Sequence, residues 1–347
     1  MNRLAQYLKS LLLELDRRVL VRLFGQSRRL ASLYYALIST KFGREHRAVL
    51  HGRNRYYESL SDPSNTSFLL RRNIHRLEKG LIMRPRRAVF AAGYIEETVS
   101  QYMVCKEMNA ASETELQWAH DVLSDYFAVV GSELAVDQAR TSFKRSQTAG
   151  DEYQSWVPYE SQIRDELSID YDAFYELCRR RRSVRWYEGR PVPRDLLEKA
   201  VRAASQAPSA CNRQPFRFSV FDNPDDAAKV GAITDGTAGF SNNFPCLIVV
   251  VGDLSAYPFE RDRHLIYVDA SLASMQLMLA LETLGLSSCP INWPDIEVME
   301  IGMADYLNLS YHERPIMLIS VGYADPKGSI PYSQKKNTDN MIRWESL

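Results

Sequence analysis

The sequence predicts a chain of mixed helix and strand, with helices alone in the N-terminal half and helices with strands in the C-terminal half. Over the first 50 residues, apolar residues recur every three or four positions, which is the spacing of an amphipathic helix, and Thr66 to about Phe143 is expected to be a second helical block. From Tyr171 onward, short apolar runs typical of strands alternate with helical segments. At 347 residues, the chain is long enough for two compact units, or for one domain with a large extension.

The charge is balanced overall but uneven along the chain. With 43 basic and 43 acidic residues the formal net charge is +0, which argues against a protein that wraps nucleic acid. Residues 1–55, however, contain 12 Lys or Arg and 3 Asp or Glu. This basic helical segment either lies on an anionic membrane surface, docks on a partner, or packs on its own domain with its arginines in solvent. Its helical pattern rests on Leu4, Leu8, Leu11, Leu12, Leu15, Leu20, Leu23, Leu30, Leu33, Tyr34 and Leu37.

Cysteine and histidine usage favours a cytoplasmic protein without a bound metal. The 5 cysteines are odd in number and far apart, and the 6 histidines are scattered, so neither a disulfide framework nor a metal cluster is expected. The longest charge-free run near the N-terminus, Leu30 to Thr40, is about half the length of a membrane span. No signal-peptide cleavage pattern follows it. We therefore expect a cytoplasmic location, with peripheral contact on the inner face of the membrane as the alternative that residues 1–55 leave open.

The remainder of the N-terminal half is predicted to be a helical extension over residues 61–165, between a helical segment at 1–60 and a C-terminal domain at 166–347. A turn at Asp62 to Asn65 separates the first two parts. One helix is expected over Trp118 to Val130, and the polar stretch Thr141 to Tyr159 is expected to be a connecting loop. His75 and Glu78, three apart on a helix, form either a surface hydrogen bond or an acid–base pair.

The C-terminal half predicts three helices, three strands and a polar tail. The helix Ile266 to Leu284 is apolar on most of its circumference and should therefore be central. The expected elements are helices at Tyr171 to Arg180 and from Pro193 to before Pro208, strands at Phe216 to Phe221, Cys246 to Val251 and Pro315 to Tyr323, and a basic tail at Pro331 to Arg343.

The segment Arg181-Arg-Ser183-Val-Arg185 predicts an anion site. In extended chain, alternate side chains share a face, so two guanidinium groups and one hydroxyl would point toward the same anion. Guanidinium groups bind phosphate oxygens bidentately and stay charged. A run of four arginines is also found in nuclear-localisation and nucleic-acid patches, which is the alternative interpretation.

A second motif, Ala207-Pro208-Ser209-Ala-Cys-Asn212-Arg-Gln214-Pro-Phe216, follows the first. Alone it would be an ordinary turn, and dinucleotide-binding, phosphate-loop, metalloprotease and serine-hydrolase motifs are absent from the sequence. Together, and at this spacing, the two motifs resemble the opening of the nitroreductase family of FMN-dependent oxidoreductases. The resemblance covers about Tyr171 to Trp344. It implies an α+β fold, in which a mainly antiparallel sheet is packed between helices, with FMN at the interface of a homodimer.

The resemblance also assigns expected roles to individual residues. Arg181, Ser183 and Arg185 would hold the FMN phosphate, with backbone contacts from Arg182. In the family, the second motif contacts the flavin of the partner subunit. The residues expected to do so here are Pro208, Ser209, Asn212 and Gln214.

Two further segments are implicated by the same resemblance. Pro290, Ile291 and Asn292 lie where the family places a loop beside the reactive nitrogen of the flavin, and a backbone N–H there stabilises the reduced ring. Relatives usually carry a small residue or an acidic-glycine pair where this chain has Asn292 and Trp293, so Trp293 either contacts substrate or closes the loop as a core residue. In the tail, Lys335 would be a second phosphate contact, unless the tail is merely a solvated basic segment.

The function that the resemblance implies is hydride transfer. NAD(P)H would reduce the flavin and leave, and a small-molecule acceptor would then take the electrons. No catalytic side chain is assigned, because the cofactor performs the redox step while the protein positions and shields it. Two alternatives stay open. One is an oxidase or dehydrogenase of a biosynthetic, for example surface-polysaccharide, intermediate; the other is a flavin-binding scaffold that docks on a membrane or a partner complex.

Overall fold

A computed structural model describes Tyr7 and residues 14–61, 66–148 and 152–346. The chain forms two compact units, Met1–Leu50 and His51–Leu347. The predicted boundaries after residues 60 and 165 stay predictions. Leu4, Leu8, Leu11 and Leu12 of the helical pattern, and the predicted turn at residues 62–65, lie outside the described residues.

The first unit is helical wherever it is described. A π-helical turn, Asp16–Leu20, leads into the short helix Val21–Phe24, and the helix Arg28–Leu37 follows. Ser27 begins that helix, since its side chain accepts a hydrogen bond from the Leu30 N–H. A longer helix, Gly43–Ser61, then continues into the second unit.

Four helices of the second unit form a bundle with its own hydrophobic core. They are Phe68–Leu81, Ile95–Glu107, Glu113–Val129 and Leu134–Ser146. The third begins at Glu113, five residues before the predicted start at Trp118, because Ser112 caps it through reciprocal hydrogen bonds with Glu115. The expected loop from Thr141 is wrong over its first six residues, because the helix continues to Ser146 with Phe143 only 2% exposed in the bundle core. Gly150 and Asp151 of that loop lie outside the described residues.

The C-terminal part contains a four-stranded sheet with the order β1-β2-β4-β3, in which every pair is antiparallel. The strands are β1 (Phe216–Phe221), β2 (Cys246–Asp253), β3 (Ser287–Asn292) and β4 (Glu313–Gly322). The helices are Tyr171–Arg180, Arg194–Ala204, Pro224–Gly231, Leu265–Thr283 and Glu297–Leu307. The predicted α+β class and antiparallel sheet are therefore confirmed.

Helices cover both faces of the sheet, which buries β2 along nearly its whole length. One face packs against Pro224–Gly231 and Glu297–Leu307, where Leu247, Val249 and Leu318 join a continuous core. The central helix Leu265–Thr283 covers the other face, and Arg194–Ala204 packs against that helix. A side chain at Gly252 of β2 would meet Ile266 of the central helix at 2.8 Å, so the helix begins directly over the end of β2.

Within the described residues, one helix, Glu260–Thr283, is long and apolar enough to cross a membrane by length and composition alone, and 44% of its most apolar window is buried inside the protein. Packing on the sheet accounts for that apolar character. The helix also carries two buried acidic residues with protein partners, Asp269 and Glu282. These are features of a core helix.

Candidate functional site

The predicted anion segment leaves the helix Tyr171–Arg180 and runs along the start of β3. Ser183 forms a bridge with Ser288 of β3, and the Val184 N–H donates to the Ser288 carbonyl at 3.1 Å. Buried Tyr187 fixes the far end, because its hydroxyl donates to the Val184 carbonyl at 2.7 Å and contacts the Ser320 hydroxyl at 2.8 Å. The segment is thus extended, as predicted, and held at both ends.

The three side chains of the predicted anion site all act on one thiol, that of Cys289 in β3. Burial raises the pKa of the Cys289 thiol, while Arg185, Ser183 and Arg181 all act in the opposite direction because each lies near that sulfur. The Arg181 Nε is buried and has no hydrogen-bond partner, and the same holds for the Ser288 Oγ at the start of β3. A buried N–H without a partner is costly. Polar atoms of both residues are therefore available to a ligand at this point.

Two neighbours set the shape of the anion segment. The Asn243 side-chain amide donates to the Arg185 carbonyl at 3.0 Å, and the Arg185 guanidinium lies 5.8 Å from the centre of the Phe240 ring. Arg182 turns back on the chain, where its Nη1 donates to the Arg181 carbonyl at 3.0 Å. Asn243 was not predicted from the sequence, although its place in a Ser-Asn-Asn turn just before a buried strand was a usable signal.

The second motif forms a tight loop in front of β1. Cys211, Asn212 and Gln214 all have left-handed backbone, with φ of 54°, 53° and 52°. The Ser209 hydroxyl accepts a hydrogen bond from the Gln214 N–H at 3.0 Å, and the Gln214 amide lies 3.3 Å from the Asn212 side-chain oxygen. Pro208 precedes the loop, after the end of the helix Arg194–Ala204.

An acidic residue of the central helix holds this loop. Asp269 accepts hydrogen bonds from the Ala210 N–H at 3.0 Å and from the Tyr257 hydroxyl at 3.2 Å. Burial raises the pKa of Asp269, and its hydrogen bonds and nearby Arg213 oppose that rise. Arg213 is only 7% exposed and lies 4.9 Å from the Tyr257 ring centre. The sequence signal for Asp269, an acid within a largely apolar stretch of helix, was not recognised in the sequence.

Comparison with known proteins agrees with this geometry. Residues 178–238 and 228–323 match the nitroreductase family. A putative NADH dehydrogenase/NAD(P)H nitroreductase of Methanothermobacter thermautotrophicus is 30% identical, over 43% of this chain and 75% of that protein. The chain belongs to the nitroreductase family.

Other similar proteins differ in the activity that their names describe. Iodotyrosine deiodinase 1 of Rattus norvegicus is 24% identical, over 51% of this chain and 71% of that protein. Among solved structures, a putative NADH oxidase of Clostridium acetobutylicum is 26% identical with a TM-score of 0.44, over 49% of this chain and 99% of that one. All of these matches fall on about half of this chain.

The nitroreductase segment predicted to be a loop at residues 288–293 is instead mostly strand. Pro290, Ile291 and Asn292 belong to β3, where they pair with Ile319, Leu318 and Met317 of β4. The expectation of a loop there is wrong. Pro290 is compatible with the strand, because β3 lies at the edge of the sheet and the missing N–H need not face a neighbour. Asn292 is exposed at the end of the strand.

The Trp293 side chain packs inward just beyond β3. It is 8% exposed and belongs to the core cluster on one face of the sheet. Its indole N–H donates to the Glu300 carboxylate at 2.7 Å, and the other oxygen of Glu300 accepts from the Arg314 Nε at 3.1 Å. This placement favours the interpretation of Trp293 as a core residue that closes the chain after β3. Contact with substrate stays a prediction.

Two other candidates are Lys335 and the pair His75 and Glu78. Lys335 is exposed in the C-terminal tail, so its phosphate contact stays a prediction. His75 and Glu78 form the expected hydrogen bond, 3.0 Å between the His75 Nδ1 and the Glu78 carboxylate. The other Glu78 oxygen accepts from the Trp118 indole N–H at 2.8 Å. Glu78 is thus occupied within the helical bundle, which supports the structural interpretation of the pair.

A cavity of about 700 Å³ opens at the far end of the sheet from Ser288, beside Asp253 and His312. The two side chains approach to 3.8 Å. Burial raises the pKa of Asp253 and lowers that of His312, because it favours the neutral form of each group. The cavity lies at the opposite end of the sheet from the segment Arg181 to Arg185.

Proposed function

We propose that this nitroreductase-family protein is an FMN-dependent oxidoreductase. The observation that carries the proposal is the buried Arg181 Nε without a partner, which lies with Arg185 and Ser183 around one point beside β3. Two guanidinium groups, a hydroxyl and the free Ser288 Oγ offer donors to the oxygens of one phosphate. The residues present therefore fit the phosphate end of FMN.

The loop 209–214 would contact the flavin that the partner subunit holds. Its neutral side chains, Ser209, Asn212 and Gln214, can bond the polar edge of a flavin or its ribityl hydroxyls without adding charge. When bound, FMN supplies the redox chemistry by taking a hydride from NAD(P)H and passing two electrons to an acceptor. The protein itself holds the phosphate, orients the ring and shields it from water. No dedicated acid or base is required of the chain.

We further propose that the protein works as a homodimer. Val268, Leu272 and Met275 recur every three or four residues on the central helix and are 51%, 44% and 39% exposed, while the opposite side of that helix is buried. An apolar strip on a core helix is typical of a surface covered by a second subunit. Leu272→Glu should convert dimer to monomer in light scattering, with Val220→Glu, an exposed site on β1, as the matched control. A wild-type monomer that binds FMN tightly would contradict this proposal.

The acceptor separates two candidate activities. Reduction of nitroaromatic or quinone acceptors is favoured by the match to the putative nitroreductase of Methanothermobacter thermautotrophicus, at 30% identity. Reductive deiodination is the second candidate, because the deiodinase match extends over 71% of that relative. We expect the first, since the identity is higher. Fold alone does not set the substrate.

Anaerobic reduction tests the proposed function. The FMN-loaded protein should lose its visible flavin absorbance when NADH or NADPH is added, and regain it when a nitroaromatic acceptor, a quinone or 3-iodotyrosine is supplied. Recovery only with 3-iodotyrosine would select deiodination. If neither nucleotide reduces the flavin, the reductase proposal is wrong. Reduction by a biosynthetic intermediate followed by re-oxidation with oxygen would then support the oxidase alternative. A flavin that none of these compounds reduces would support the scaffold alternative.

The first unit supports a separate proposal of peripheral membrane contact on the inner face. Its apolar side chains include Leu23, Leu33 and Leu37, which are 50%, 48% and 78% exposed, on a segment rich in arginine. Such surfaces bind anionic lipid. Deletion of residues 1–50 should abolish flotation with anionic liposomes; retained flotation, or none by the intact protein, would remove the proposal. The deletion should stop there, since Arg53 donates to the Pro258 carbonyl at 3.0 Å within the larger unit.

A further inference from the structure

The loop 209–214, which would contact the flavin, has a backbone conformation that is unfavourable in free energy. Three of its residues, Cys211, Asn212 and Gln214, are left-handed without being glycine. Such residues persist only where surrounding structure holds them in place. Neighbouring groups must therefore hold this loop in place.

Two of the restraints come from the nitroreductase part of the chain. Ser209 bonds the Gln214 N–H across the loop, and Asp269 of the central helix accepts from the Ala210 N–H. Both hold the loop at residues other than Asn212. Neither of these hydrogen bonds involves the carbonyl of Asn212, which is itself one of the left-handed residues.

The donor to that carbonyl comes from the helical extension. The Arg71 Nε donates to the Asn212 carbonyl at 2.8 Å, across 141 residues of sequence. The Arg71 Nη1 donates to the Glu115 carboxylate at 2.7 Å, and the Arg71 side chain is only 12% exposed. One guanidinium thus joins two helices of the bundle to the flavin loop.

Glu115 is itself fixed. It accepts from the Ser67 hydroxyl at 2.8 Å and from the Ser112 N–H at 3.0 Å. Burial alone would raise the pKa of Glu115, but the hydrogen bonds from Ser112, Arg71 and Ser67 bring it below its ordinary value. The carboxylate is therefore charged at neutral pH and bonds Arg71 as an ion. The Trp118 ring lies 5.6 Å from the Arg71 guanidinium and further restricts it.

We infer that Arg71, oriented by Glu115, is a positioning residue for the loop 209–214, and that the helical extension is in this way a part of the cofactor site. The inference rests on the proposed function, in which this loop contacts FMN. It gives the bundle a role inside the enzyme that is independent of any membrane or protein partner.

The test compares FMN affinity and loop dynamics in four variants of the full chain. Arg71→Ala should raise the dissociation constant for FMN at least tenfold and speed amide hydrogen exchange at residues 209–214. Arg71→Lys should recover part of the affinity, because an ammonium can bond the Asn212 carbonyl but lacks the planar fork that reaches Glu115 as well. Arg76→Ala is the matched control, since Arg76 lies on the same helix but stacks on Tyr94 at 3.6 Å; it should match wild type.

The fourth variant separates positioning from simple charge. Glu115→Ala makes the region more positive, so a purely electrostatic effect would tighten FMN binding. Loss of positioning predicts the reverse, a weaker affinity with faster exchange at residues 209–214. Unchanged exchange and an FMN affinity within twofold of wild type in Arg71→Ala would overturn the inference, as would tighter binding in Glu115→Ala.

The exchange measurement keeps this test apart from the proposed function. If wild-type protein binds no FMN, the proposed function fails, and exchange in the ligand-free variants still decides whether Arg71 holds the loop. If wild type binds FMN and Arg71→Ala behaves identically in both measurements, the positioning inference fails and the proposed function stands.

Discussion

Replacing Arg181 by Met should have opposite effects on the protein with and without FMN. Met fills a similar volume without charge. In the ligand-free protein it removes the buried Nε that has no partner, and relief of such a group is worth about 1–3 kcal/mol of unfolding free energy. It also lowers the repulsion within the run from Arg179 to Arg182. The ligand-free variant should therefore unfold at a higher temperature than wild type.

With FMN the sign reverses. A charge-assisted hydrogen bond contributes about 1.5–3 kcal/mol, and each 1.4 kcal/mol is a factor of ten. Loss of one such bond predicts a dissociation constant for FMN that is roughly 10 to 150 times higher than wild type. Flavin fluorescence titration gives the affinity, and thermal unfolding with and without FMN gives the two stabilities.

Arg190→Met is the matched control. Arg190 follows the anion segment, is 56% exposed in its side chain and stacks on the Tyr323 ring. It should leave FMN affinity unchanged. The reasoning is refuted if Arg181→Met binds FMN within threefold of wild type, or if it destabilises the ligand-free protein.

Three further predictions concern packing. Gly52→Ala should lower the free energy of unfolding by about 1–3 kcal/mol, because the added Cβ would meet the backbone of Leu254, just after β2, at 2.8 Å. Gly43→Ala on the same helix is the control and should leave stability unchanged, since a Cβ there meets nothing within 4 Å. Equal denaturant midpoints for the two variants would contradict this prediction. Trp293→Phe should lower the free energy of unfolding by about 1–3 kcal/mol, because it removes the hydrogen bond to buried Glu300, and should change the KM for the acceptor less than twofold. A large change in KM at unaltered stability would instead indicate that Trp293 contacts the substrate. Burial raises the pKa of the Cys105 thiol to about 11, so iodoacetamide at mildly alkaline pH should label it only after unfolding; labelling of the native protein at the unfolded rate would show that the bundle core is open.

Local pattern predicted those parts of the site that are local in sequence. Alternation of side chains in extended chain predicts that Arg181, Ser183 and Arg185 share a face, and the bridge from Ser183 to β3 holds this segment extended. Apolar runs likewise located β1, β2 and β4. The polar stretch from Thr141 misled because one buried ring, Phe143, keeps it helical within the bundle core.

The remaining features depend on contacts that sequence spacing does not encode. The loop at Pro290 to Asn292 was expected from the family resemblance, and only the strand order reveals that these residues form an edge strand. The bond from Arg71 to Asn212 joins the extension to the flavin loop, and no periodicity in either segment points to the other. Trp293 was ambiguous for the same reason, because its partner Glu300 becomes a neighbour only when the helix Glu297–Leu307 folds back on the sheet.

The most direct test of the account is the identity of the small molecule released from the purified protein, measured by mass spectrometry with the double variant Arg181→Ala, Arg185→Ala beside wild type. The account predicts FMN from wild type and little or none from the variant, with the variant still folded. Absence of flavin from wild type, together with no binding when FMN is added, would contradict it.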